Sequence, residues 1–212
     1  GDVIDRIKRL SKSSKIKLSE YTPEKFSELS GKNNTQGVIA ELSTSKYYSL
    51  EELLVSAEGK KYPLFLILDS IQDPQNLGAI LRTAECAGVD GVIITTHNSS
   101  PVTETAVKTS AGAVSYLKIC KAGNLSNTMR ELKDCGFWIA GSSLEGAVDY
   151  TEPDYKRPLV LVMGNEEKGI RKLTADNCDF LIKIPMSGKI QSLNVSVATG
   201  VILFGILNLR KK

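Results

Sequence analysis

Histidine is nearly absent from this sequence, and closely spaced cysteines are missing altogether. His97 is the single histidine, and no C-x-x-C pair joins the four cysteines, which are Cys86, Cys120, Cys135 and Cys178. These absences argue against a two-histidine zinc signature and a thiolate cluster, so we expect no metal site. Scattered cysteines in a Lys/Glu-rich chain are typical of reducing compartments, so we expect a cytoplasmic protein.

The sequence also lacks an apolar run of the ~20 residues that cross a bilayer, so we expect no membrane association. It contains neither a Walker A sequence nor a G-x-G-x-x-G fingerprint, which argues against a nucleotide-dependent oxidoreductase of the Rossmann class. What it does contain is typical of folded domains: 212 residues, of which 42% are hydrophobic and 24% charged. We expect one medium domain, or a larger domain with a smaller piece.

Positive charge is concentrated at the start of the chain. Residues 1–17 have a net charge of +4, whereas the whole chain has a net charge of +3. A basic arm on a nearly neutral body indicates contact with a polyanion such as RNA. The alternative is a solubilising helix face above the apolar side chains of Ile4, Ile7 and Leu10.

The first 45 residues offer little material for a core. A capped helix is predicted near residues 22–31 and a strand over 36–40. One helix with one or two strands is too small to be stable alone, so we predict a partial α/β domain over 1–45. This segment is either a truncated domain or a lobe that packs on another part of the protein. A linker is predicted over 46–63. Because residue 1 is glycine, the sequence leaves open whether residues precede it.

From residue 64 onward, apolar runs alternate with helical patterns. The six runs cover residues 64–69, 91–95, 115–119, 137–141, 159–163 and 181–185. The helical patterns between them cover residues 75–87, 104–111, 125–135 and 168–174. This alternation predicts an α/β domain over 64–212, with a parallel six-stranded, Rossmann-like sheet covered on both faces.

The last segment is apolar over too wide an arc for a surface helix. Its apolar positions run from Val195 to Leu209. A helix that is hydrophobic nearly all round is buried on two sides. We therefore favour a sheet on one side and a second subunit on the other, which predicts a homodimer. The alternative is a helix within the core of a single chain.

A first polar loop follows the run at 64–69 and leads into a helix with apolar side chains at i, i+3, i+4, i+7 spacing. The carboxyl end of a strand is where open α/β sheets bind ligands. Asn76 and Gly78 fall in the first helical turn, whose free N–H groups attract anions. Arg82 suits bidentate phosphate binding, and the alternative is a surface pair with Glu85.

Two further polar loops follow later strands. Gly164 ends the run at 159–163 and permits a ligand to approach the backbone closely. Glu166 is suited to accept hydrogen bonds from a ribose or to orient an arginine. In the third loop, helix capping is the alternative explanation for Ser192 and Asn194.

Together these loops resemble the motifs of the SpoU family of ribose 2′-O-methyltransferases, in the SPOUT superfamily. The first motif is matched by D-P-Q-N-L-G-A-I-L-R-T-A at 73–84 and the second by M-G-N-E-E-K-G at 163–169. The third is matched by I-P-M-S-G-K-I-Q-S-L-N-V-S-V-A at 184–198. Within the family, the chain is most similar to the ribosomal RNA guanosine 2′-O-methyltransferases. Residues 1–45 resemble the tail of their small ribosomal-protein-like RNA-binding domain.

The resemblance implies methyl transfer from S-adenosylmethionine to a ribose 2′-hydroxyl of RNA. It also implies a C-terminal trefoil knot and a homodimer with the active site at the subunit interface. The implied cofactor-binding residues are Gly164, Ile184, Met186, Ser192 and Leu193. The implied catalytic residues are Arg82, Asn76, Glu166, Ser192 and Asn194. Ribosomal RNA is the favoured substrate; the alternatives are tRNA and, ranked lower, a non-catalytic RNA-binding protein on the same scaffold.

Two roles stay open at this point. The family's proposed base is the arginine at Arg82, yet a guanidinium group rarely gives up its proton. Either Arg82 is deprotonated on binding RNA, or it stays charged, binds phosphate and stabilises the developing alkoxide. His97 follows a predicted strand at the ligand-facing end, where it either contacts RNA or is an ordinary loop residue.

Overall fold

The computed structural model describes residues 2–14, 16–31, 35–39, 46–165, 168–190 and 192–211. Contacts divide the chain into two compact units, Gly1–Ser43 and Thr44–Lys212. The first unit contains helices α1 (Asp2–Ser13) and α2 (Pro23–Ser30). None of the helices among the described residues could span a lipid bilayer.

The first unit contains the predicted helix but not the predicted strand. Helix α2 begins after Thr22, whose hydroxyl accepts a hydrogen bond from the Lys25 N–H at 3.4 Å. The strand predicted over 36–40 is wrong for residues 36–39, and residue 40 lies outside the described residues. Gln36 and Gly37 have φ angles of 51° and 81°, so the chain turns there instead of extending.

The second unit is built on a sheet of parallel strands. The strands are β1 (Tyr47–Tyr48), β2 (Leu64–Asp69), β3 (Gly91–Thr95), β4 (Ile119–Ala122), β5 (Trp138–Ser142), β6 (Val148–Asp149), β7 (Leu159–Gly164) and β8 (Phe180–Lys183). Their spatial order is β1-β4-β3-β2-β7-β5-β8-β6. The helices are α3 (Leu50–Ala57), α4 (Pro74–Cys86), α5 (Glu104–Thr109), α6 (Leu125–Asp134), α7 (Lys172–Asp176) and α8 (Val195–Lys211), with a 3₁₀ turn at Ala113–Ser115.

The sheet therefore has eight strands, and the prediction of six is wrong in number. The two additional strands, β1 and β6, form the edges of the sheet and are two residues long. Neither is fully buried, so neither leaves an apolar run in the sequence. The run at 115–119 also gave the wrong bounds, because a 3₁₀ turn precedes β4 there.

Helices cover both faces of the sheet, as predicted. Alternate residues of β2 point to opposite faces, and the six residues of the strand are all buried. Leu66 packs in a core layer with helices α4, α5 and α8, whereas Ile67 packs in a second layer with α3 and α6. Burial on both faces explains the continuous apolar runs of the inner strands.

Residues 46–63, expected as a linker, contain β1 and α3. A capping box begins α3: the Ser49 hydroxyl accepts from the Glu52 N–H at 3.1 Å, and the Glu52 carboxylate accepts from the Ser49 N–H at 2.8 Å. Leu53 of α3 is fully buried in the second core layer. The domain boundaries themselves, including the RNA-binding domain over 1–45, stay predictions.

Candidate active site

Three loops leave the sheet on the same side, at the carboxyl ends of their strands, because β2, β7 and β8 are parallel. Residues 70–73 follow β2, residues 165–171 follow β7, and residues 184–194 follow β8. Asp69 and Gly164 are register partners at the ends of adjacent strands, which brings the first two loops side by side. The amide of Asn165 strengthens this contact by donating to the Ser70 carbonyl at 3.1 Å.

The first loop ends at helix α4. Asp73 is its N-cap, since a carboxylate oxygen accepts from the Gln75 N–H at 2.9 Å, and Pro74 is the first helical residue. Gly78 has a packing role that sequence reasoning missed. A Cβ there would lie 2.5 Å from the Ala106 carbonyl oxygen of α5, so glycine permits the two helices to approach each other.

The third loop is joined to the first turn of α4, which follows the first loop, by a hydrogen bond between two predicted catalytic residues. The side-chain amide of Asn194 donates to the side-chain oxygen of Asn76 at 3.0 Å. The other end of the Asn194 amide accepts from the Ser196 N–H at 2.9 Å. Of the two residues for which capping was the alternative explanation, Asn194 is the one that caps α8, which begins at Val195. Capping explains Asn194 in part, but not its contact with Asn76.

The second loop folds back on the end of β7. Asn165 and Gly169 form an antiparallel bridge, and a Cβ on Gly164 would lie 2.1 Å from Gly169 C and Ile170 N. Gly164 is therefore required by the loop's own backbone, whereas we had expected a ligand on that side. Glu166 lies outside the described residues.

Sequence reasoning missed the buried carboxylate that supports this loop. The Asp69 side chain is fully buried, and Arg171 Nε lies 2.8 Å from its Oδ1. The Thr174 hydroxyl donates to Oδ2 at 2.7 Å, and the Arg171 N–H donates to the same atom at 3.3 Å. A buried charge needs such partners, so Asp69 fixes the end of the loop. The signal was a charged residue that ends an otherwise apolar strand.

A partly buried cysteine lies beneath the same loop. A Cβ on Gly141 would meet the Cys178 sulfur at 2.7 Å and Ile170 Cδ1 at 2.8 Å, so the three residues are packed together. Burial raises the pKa of the Cys178 thiol to about 12. The thiol therefore stays protonated at neutral pH and is a packing group rather than a nucleophile.

The third loop exposes apolar side chains near the carboxyl ends of the strands. Ile190 is 78% exposed and Leu193 is 40% exposed, whereas Ile184 and Met186 are half-buried. Ser192 is exposed beside them. Exposed apolar groups next to loop backbone suit a ligand with a flat apolar ring and hydrogen-bonding edges, such as an adenosine.

Within the described residues, the side chain of Arg82 forms no hydrogen bond or ion pair. It is exposed on α4, about 9 Å along the helix axis from Asn76 at 1.5 Å per residue. The surface pair with Glu85, considered as an alternative, does not form. The Arg82 guanidinium is therefore available to a ligand or to another chain.

The chain is similar in sequence to a known protein family and to several of its members. The model of the SpoU rRNA Methylase family matches residues 63–204. The 23S rRNA (guanosine-2′-O-)-methyltransferase RlmB of Pseudomonas aeruginosa is 47% identical over 178 residues, which are 82% of this chain and 71% of that protein. YacO of Bacillus subtilis, named for the TrmH family of tRNA/rRNA methyltransferases, is 38% identical over 192 residues, 90% of this chain and 77% of that protein.

Among solved structures, the AdoMet-bound rRNA methyltransferase from Sinorhizobium meliloti has a similar fold. The TM-score is 0.77 at 32% sequence identity, over 88% of this chain and 70% of that chain. The family model covers more than half of the sequence, and both relatives exceed 30% identity over most of it. The chain therefore belongs to the SpoU rRNA methylase family.

Proposed function

We propose that this protein transfers a methyl group from S-adenosylmethionine to a ribose 2′-hydroxyl of RNA, with a guanosine of large-subunit ribosomal RNA as substrate. The observation that carries the proposal is that the three motifs meet at the carboxyl ends of the strands. The Asn76–Asn194 hydrogen bond joins the first motif to the third, and the pairing of Asp69 with Gly164 brings the first and second loops side by side. The guanosine assignment rests on the similarity to the Pseudomonas aeruginosa enzyme.

Transfer RNA is the alternative substrate, since the name of the Bacillus subtilis relative includes both RNA classes. A non-catalytic RNA-binding protein is the weaker alternative, because each residue with a proposed chemical role is retained. A cytoplasmic location and the absence of a metal stay predictions.

We assign cofactor binding to the backbone and side chains of the second and third loops: Gly164, Ile184, Met186, Ser192 and Leu193. The exposed side chain of Leu193, the half-buried side chains of Ile184 and Met186, and the backbone of these loops fit an adenosine. The bound sulfonium supplies an electrophilic methyl group. The protein's task is then to align the 2′-oxygen in line with the S–CH₃ bond and to help remove the hydroxyl proton.

Polar side chains of the site perform that task. Asn76 and Asn194 hold each other in place and present amide groups at the start of two helices. Arg82 binds the RNA phosphate and stabilises the negative charge that develops on the 2′-oxygen. Glu166 and Ser192 complete the set by orienting the ribose and the arginine.

We also propose that the enzyme is a homodimer whose sites are shared between subunits. The outward face of α8 carries a stripe of side chains at i, i+4, i+7 spacing, Val197, Val201 and Phe204, of which Val197 and Phe204 are about half exposed, at 52% and 51%. Helix α4, which carries Arg82, packs beside α8. A partner seated on this stripe would therefore lie next to the helix that carries Arg82. The trefoil knot implied by family membership stays part of the same proposal.

Cofactor binding tests the proposal. Titration calorimetry should show saturable binding of S-adenosylmethionine, and a concentration of about 100 times Kd should stabilise the fold by about 2.7 kcal/mol. ATP, which has the adenosine but no sulfonium, is the matched control and should bind far more weakly. Absence of both heat and a thermal shift with millimolar S-adenosylmethionine would contradict the enzyme assignment.

A further inference from the structure

A cavity outside the proposed methyl-transfer site lies at the carboxyl ends of β3 and β4. Its volume is about 370 Å³, within the range of roughly 300–1,000 Å³ that is usual for small-molecule sites. The start of α6 and the segment leading into α7 form its sides. His97, the single histidine of the sequence, lines it.

The lining combines flat, apolar and hydrogen-bonding groups. His97 and Arg171 supply an imidazole and a guanidinium, the planar groups on which unstacked bases stack in RNA-binding proteins. Leu173 also lines the cavity, and its side chain, which is 64% exposed, offers an apolar surface to a ligand. Asn124 and Ser126 add polar groups suited to the edge of a base.

Arg171 is held in a fixed position at the wall of this cavity. Its Nε lies 2.8 Å from the fully buried Asp69 carboxylate, and within the described residues its terminal amino groups have no protein acceptor. Because the buried carboxylate neutralises the guanidinium, the pair attracts a phosphate less than a lone arginine would. A neutral, planar ligand is therefore favoured over an anion.

The same ion pair places the cavity next to the cofactor loops, since Asp69 lies opposite Gly164 in the sheet register. We propose that the cavity binds one unstacked nucleobase of the substrate RNA, adjacent to the methylated nucleotide. The inference rests on the proposed function and adds to it a subsite that selects and orients the RNA strand. His97, Arg171 and Leu173 contact the base there.

The test uses His97→Ala and Leu173→Ser, singly and combined, in the full chain. Both side chains are exposed, so the variants should fold with unchanged thermal stability. Tyr116→Ala is the matched control. Tyr116 is 81% exposed and precedes β4, so it lies near the amino end of that strand, whereas the cavity lies at the carboxyl end. Steady-state methylation is measured on unmodified transcripts of large-subunit ribosomal RNA and of tRNA, with calorimetry for S-adenosylmethionine.

We expect the double variant to raise the KM for RNA by at least about fivefold, the lower end of the loss expected for one base-stacking contact. The kcat at saturating RNA and the affinity for S-adenosylmethionine should stay unchanged, and Tyr116→Ala should change none of these quantities. An unchanged KM in the double variant would overturn the subsite alone. A wild-type protein that methylates neither transcript would instead overturn the proposed function, and the subsite with it.

Discussion

Replacing Arg82 by lysine should lower kcat for RNA methylation by about 10²- to 10⁴-fold, the usual contribution of an acid–base or charge-stabilising group. Lysine keeps the positive charge but loses the planar fork that binds phosphate in two places. Arg82 is exposed and has no ion pair within the described residues, so S-adenosylmethionine affinity and thermal stability should stay close to wild type. Single-turnover kinetics at saturating RNA measures the effect on chemistry.

Arg130→Lys is the matched control for that variant. Arg130 is an exposed arginine of α6, and its one described side-chain contact is a hydrogen bond to Asn127. This substitution should leave both kcat and KM unchanged. Near-normal turnover of Arg82→Lys would exclude both a bidentate and a base role for Arg82.

Gly164→Ala should abolish measurable cofactor binding and lower the free energy of unfolding by about 1–3 kcal/mol, the usual cost of forcing a methyl group into a packed site. The new Cβ would lie 2.1 Å from Gly169 C and Ile170 N, which are backbone atoms and cannot rotate away. The second loop must therefore move off the end of β7. Calorimetry with S-adenosylmethionine and chemical denaturation measure the two effects.

Gly200→Ala controls for the loss of a glycine as such. A Cβ at Gly200 would meet Thr83 Cγ2 at 3.6 Å, which is an ordinary contact. In a helix interior, alanine is more stabilising than glycine by about 0.5–1 kcal/mol. Its stability should rise slightly and its cofactor affinity should not change. Equal cofactor affinity in Gly164→Ala and wild type would show that Gly164 does not contribute to cofactor binding.

The two variants together test whether sites are shared between subunits. Subunits carrying Arg82→Lys are mixed in equal amounts with subunits carrying Gly164→Ala and allowed to exchange. If each site takes Arg82 from one subunit and Gly164 from the other, half of the dimers regain one intact site, so roughly a quarter of wild-type activity returns. If each site lies within one subunit, the mixture stays as inactive as its components.

The sequence was sufficient for features that depend on local chemistry. The apolar run at 64–69 and the helical pattern at 75–87 predicted β2 and α4 to within one residue at each end, because burial and helix periodicity are local features of the sequence. The three motif loops also gave the candidate site, since parallel strands bring their carboxyl ends to one edge. The meeting of Asn76 with Asn194 agrees with that expectation.

Features that depend on distant partners were not predictable in the same way. The ion pair of Asp69 with Arg171 joins residues far apart in sequence, and no periodicity marks it. Gly164 and Gly78 were interpreted as ligand contacts. In the structure, other backbone segments occupy the space that a Cβ would need at either position. The two-residue strands β1 and β6 exist only because a longer strand offers them an edge.

The most direct test of the central claim is to map ribose 2′-O-methylation by mass spectrometry in total RNA, with and without the gene. One 2′-O-methylguanosine of large-subunit ribosomal RNA should disappear without the gene. Wild-type protein should restore it, and Arg82→Lys should not. Identical 2′-O-methylation maps in both strains, across ribosomal and transfer RNA, would contradict the assignment of this site to ribose methylation.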